Sequence, residues 1–146
     1  MRLLKATLIV KILLTICWSA PLLFFSANQF ETWGMPEPKP ILFTRLLGAA
    51  FVALLVGYAL GLRDLHLGTI PFNTILVGIV SNGLACVLLI YFGLQGIWSE
   101  WGEVTRYSLW ASAILTGLIT GLLCISVLSF GKLTKKHGRT RIETPV

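Results

Sequence analysis

Polar and apolar positions fall along this chain in long blocks, not in the short alternation of a half-buried strand. Apolar stretches cover about residues 7–27, 42–62, 70–94 and 107–130, with short polar segments between them. Each can cross a hydrocarbon core of about 30 Å as a helix. The clearest, Arg45 to Leu62 (RLLGAAFVALLVGYALGL), carries one charge at its start and none afterwards. The pattern predicts an all-α integral membrane protein. Its four-transmembrane-helix bundle covers residues 1–131, and a basic tail follows over 132–146.

The first stretch, with Arg2, Lys5 and Lys11 ahead of a long apolar run, has the outline of a signal peptide. Cleavage sites are poor: Ala20 is followed by Pro21, and Ala27 has the bulky Phe25 two residues before it. The segment therefore reads as the first transmembrane helix, with Lys11 reaching back to the headgroups and Pro21 expected to kink its far half. The next loop spaces Pro36, Pro38 and Pro40 alternately, which favours extended chain. A short turn, RDLHLG, separates the second and third helices, and the loop QGIWSEWGEVTR precedes the fourth.

Composition agrees with this picture. Hydrophobic residues make up 55% of the chain and charged residues 12%, about half the charged fraction of a soluble domain. The net charge of +6 sits mostly at the two chain ends, which argues against a nucleic-acid surface and for membrane flanks. With the amino terminus cytoplasmic, one side holds Arg2, Lys5, Lys11, Arg63, Lys132, Lys135, Lys136, Arg139 and Arg141, and the other Lys39, Arg45 and Arg106. Both termini are thus expected in the cytoplasm, the protein in the inner cell membrane, and Glu31, Glu37, Glu100 and Glu103 outside. Cys17, Cys86 and Cys124 are isolated within apolar stretches and read as small buried residues.

Two stripes of small residues repeat at a spacing of four: Ala49, Ala53, Gly57 and Gly61, and then Ala113, Gly117 and Gly121. Such stripes let helix backbones approach closely, either within the bundle or against another chain. Asn82, midway along the third helix, needs a partner inside the protein, for which Ser112, Thr116 and Thr120 are candidates. Arg45 and Arg106 are expected near Glu100 and Glu103 as solvated interfacial ion pairs. FETWG (Phe30 to Gly34) and WSEWG (Trp98 to Gly102) occupy equivalent loops. Two hairpins related by an axis along the membrane normal would give this echo.

Catalytic signatures are missing. No acidic residue or histidine falls inside an apolar stretch, and there is no catalytic triad, phosphate-binding loop or metal-ligand spacing. The residues imply no enzyme, no metal and no cofactor.

The run WGMPEPKPILFTRLLGAAFVALLVGYALGL (Trp33 to Leu62) resembles the first loop and second helix of DoxX-like small membrane proteins. The resemblance implies a four-helix membrane protein, associated in some members with quinone-linked oxidation. The acidic residue common on that family's second helix is absent here. The leading expectation is a non-catalytic accessory or structural subunit that packs through its small-residue faces. Its partners would be membrane lipids, a second copy or other transmembrane subunits. A quinone- or lipid-binding accessory protein and a small-solute transporter using Asn82 are the alternatives.

Overall fold

A computed structural model describes residues 2–36 and 38–139, with side chains through residue 129. Glu37 and residues 140–146, including Arg141, lie outside the described residues. The described residues form five helices: α1 (Arg2–Phe24), α2 (Ala27–Thr32), α3 (Ile41–His66), α4 (Phe72–Leu94) and α5 (Glu103–Arg139). Four of them, α1, α3, α4 and the Glu103–Ser129 part of α5, are long and apolar enough to cross a membrane. Their outward surface is apolar: Leu13, Leu84, Ile114 and Leu118 are all more than half exposed. A helix satisfies its own backbone groups, so such a surface suits lipid.

The ends of the helices differ from the sequence reading in three places. α1 begins at Arg2 rather than near residue 7, because nothing in Arg2 to Ala6 breaks a helix. It ends at Phe24, three residues after Pro21. α5 continues as helix through Arg139 instead of giving way to a loose tail at residue 132. The short α2 has no hydrophobic periodicity to announce it. The side-chain carbonyl of Gln29 accepts the Ser26 N–H at 2.7 Å, tying down its first turn.

The bundle is two hairpins. α1 packs along α3, α4 packs along α5, and the hairpins touch more sparingly through α1–α5 and α3–α4. They meet closely at two levels. Toward the termini, Leu4 and Leu8 of α1, Tyr58 and Leu65 of α3, Ile75 of α4, and Ile119 and Leu123 of α5 form one buried cluster. Gly78 makes room there: a Cβ on it would lie 2.8 Å from Leu123 Cδ1.

The second level is the loop end. Gly102 N–H donates to the Gly34 carbonyl at 2.9 Å, and the Thr105 hydroxyl donates to the Trp33 carbonyl. Gly34 has φ +75°, and a Cβ on it would sit 2.5 Å from Gly102 Cα. The two Trp-Gly echoes of the sequence therefore lie against each other, backbone to backbone. Phe25 packs edge-on against Trp33 at 4.9 Å, and Trp98 against Trp110 at 6.0 Å. Gly93 leaves space for both of the latter indoles, each 2.7 Å from where its Cβ would be.

Candidate functional site

Between these two levels the hairpins part and leave a cavity of about 390 Å³. Every long helix contributes to its wall: Leu14, Trp18 and Leu22 from α1, Leu47, Phe51 and Leu54 from α3, Ala85, Leu88 and Phe92 from α4, and Leu109, Ser112 and Thr116 from α5. Leu47, Leu88 and Phe92 line the cavity yet stay 39–52% exposed, so it opens sideways between α3 and α4. These two helices touch near their shared turn, where Gly61 meets Thr74, and diverge toward the loop end.

The wall is apolar apart from a few groups, most of which are already bonded. Trp18 Nε1–H donates to Ser112 Oγ at 3.1 Å, linking the hairpins across the cavity. The hydroxyls of Thr15 and Thr116 donate to the carbonyls of Lys11 and Ser112, each at 2.7 Å. Tyr58 Oη and Ser81 Oγ are 2.9 Å apart and share a hydrogen bond.

Lys11 is different. It lines the cavity, with its Nζ 5.6 Å from the centre of the Tyr58 ring. Among the described residues its ammonium has neither a hydrogen-bond acceptor nor a carboxylate partner. It lies nine residues into α1, about 14 Å along the axis at 1.5 Å per residue. It lies level with Tyr58, whose hydroxyl meets Ser81. Lys11, Thr15, Trp18 and Leu22 share one face of α1 at spacings of four, three and four, and that face was the available signal in the sequence.

The residues singled out from the sequence disperse. Ala49 and Ala53 are exposed, and a Cβ on Gly57 would meet nothing within 4 Å, whereas Gly61 is buried against α4. The α3 glycine that touches α1 is Gly48, against Leu22 and Leu23. On α5, Ala113 is buried, a Cβ on Gly117 would lie 3.2 Å from Cys86 Sγ, and one on Gly121 would meet nothing within 4 Å.

Asn82 is fully buried, and its amide donates to the Gly78 carbonyl of its own helix at 2.6 Å. Among the described residues its Oδ1 has no hydrogen-bond partner, and Asn82 does not line the cavity. Thr116 and Thr120 donate back along α5, and Ser112 accepts from Trp18, so none of the three bonds to Asn82.

Arg45 reaches the end of α1 rather than an acid: its guanidinium donates to the carbonyls of Leu22 at 2.9 Å and Phe25 at 2.6 Å. Those carbonyls lack the helical donors that would otherwise satisfy them. Arg106 lies over its neighbour Tyr107, 5.8 Å from the ring centre. Glu100 and Glu103 are exposed. The described residues contain an ion pair between Arg63 and Asp64 at 3.8 Å, exposed near the end of α3.

Fold and surface together define a multi-pass membrane protein with four candidate spans and a side-opening cavity between two hairpins. Comparison with protein-family models, curated proteins and solved structures finds no match to this chain.

Proposed function

We propose that this protein holds a lipid-like small molecule, a lipid or a quinone, between its two hairpins, as a binding or accessory protein without catalytic chemistry of its own. The observation that carries this reading is the cavity. Its volume of about 390 Å³ falls in the range of ligand pockets, about 300–1,000 Å³. Its side opening between α3 and α4 faces the region where lipid would lie. The resemblance to DoxX-like proteins implies the same ligand class. The distribution of Lys and Arg supports both termini in the cytoplasm and the loop end outside, in the inner membrane.

Native mass spectrometry of the protein released from mild detergent tests the reading. A co-purified apolar molecule is expected on the wild type and is expected to be lost from Ala85→Trp, which fills the cavity. An empty wild-type protein in several mild detergents would refute it.

A second reading, assembly with a copy of itself or a larger complex, is favoured by one observation. Ala49 and Ala53 of α3 are exposed, and a Cβ on Gly57 meets nothing within 4 Å among the described residues. Under it, Gly57→Leu converts an oligomer to monomers in the same spectra. A wild type that is monomeric throughout removes it.

A further inference from the structure

We propose that Lys11 is the anchor for the head of the bound molecule, and that this head is an anion on a single acyl chain. The inference rests on the reading of the cavity as a ligand site and adds the chemistry that would be recognised there. The Lys11 side chain lines an apolar cavity, and its ammonium carries three N–H donors. The other polar groups on the wall, the hydroxyls of Thr15, Ser81 and Thr116 and the Trp18–Ser112 pair, already have partners within the protein. Among the described residues Lys11 has only the face of the Tyr58 ring.

A cation at this depth is costly without a counter-charge. The four candidate spans offer acids only at their ends, Asp64 beside Arg63 and Glu103 in the first turn of α5, so among the described residues no anion lies at this level. A bound anionic head does, and its hydrogen bonds to an ammonium are of the stronger, charge-assisted kind.

The shape of the cavity selects the rest of the molecule. From Lys11 to Leu22, both on its wall, α1 rises about 16 Å, close to half of the roughly 30 Å hydrocarbon core and therefore to the reach of one leaflet's acyl chains. The head lies at the deep end and the chain runs toward the loop end, opposite to a lipid of that leaflet. A free fatty-acid carboxylate with one slender chain enters sideways in this orientation. A phospholipid phosphate would have to draw a second chain and a larger headgroup in with it.

The test is titration of the purified, delipidated full chain with oleate, methyl oleate and dioleoyl phosphatidate, read by native mass spectrometry. Wild type is expected to bind oleate about ten-fold or more tightly than methyl oleate, the size of a charge-assisted hydrogen bond. Lys11→Met is expected to abolish that preference while still binding methyl oleate, which also shows that the variant is folded. Lys11→Arg is expected to restore the preference. Tighter binding of phosphatidate than oleate overturns the single-chain assignment.

Equal binding of oleate and methyl oleate by wild type, or a preference unaltered in Lys11→Met, overturns the role of Lys11 and leaves the cavity reading standing. Failure of every probe to bind wild type, or binding that Ala85→Trp leaves unaltered, overturns the cavity reading itself.

Discussion

The seam between the two hairpins is closed at its ends and open in its middle, and the facing residues explain the contrast. At the loop end no side chain intervenes, since Gly34 and Gly102 bring backbone against backbone. In the terminal half, Gly78 forms a hole into which Leu123 fits. In the middle both hairpins present bulk: Leu14, Phe51 and Leu54 on one side and Leu88, Leu89 and Leu115 on the other. Lipid is as apolar as leucine, so there is no hydrophobic drive to close such a gap, and helices in a bilayer approach only where shape or hydrogen bonds permit. Two helical hairpins with matched large residues therefore stay parted where two with glycines meet.

That contrast can be broken most severely at the loop end. Gly34→Val places a β-branched residue at φ +75° and drives its Cβ into Gly102, so a loss of about 3 kcal/mol or more is expected, read as a lowered thermal midpoint in detergent. An unchanged midpoint would show that the glycine contact does not hold the seam.

Arg45→Met comes next. It leaves the carbonyls of Leu22 and Phe25 without their donors, at an expected cost of about 1–3 kcal/mol by the same measurement. In the terminal half Gly78→Ala should cost about 1–2 kcal/mol by pushing on Leu123, a flexible neighbour. Gly57→Ala, on the outward face, should change the stability of the single chain by no more than about 0.5 kcal/mol. A large effect there would mean that a partner covers α3.

The spans were legible because length and apolarity alone decide them, and all four apolar stretches became helices. The loop echo was legible as a motif; that the two copies touch is a tertiary fact carried by glycine at the same place in each. The stripes misled for a geometric reason. A spacing of four overshoots a helical turn by about 40° per step, so Gly61 can face α4 while Ala49, three steps earlier, has rotated away from it. Lys11 was visible as a charge, but its place on the cavity wall beside the Tyr58 ring is a tertiary fact that the apolar pattern does not carry. Asn82 bonds back to Gly78 of its own helix rather than across to α5, and Arg45 reaches the free end of α1; neither follows from composition or spacing.

Because α1 finds most of its contacts with α3 and α4 with α5, each helical pair resembles a unit that could enter the bilayer by itself. The link between them is only the short turn from Leu67 to Pro71, and the final lock, Gly34 on Gly102, joins residues that are synthesised far apart. Insertion would then proceed two spans at a time, with the seam sealing last. A chain nicked at Gly68 and expressed as separate halves should still reassemble.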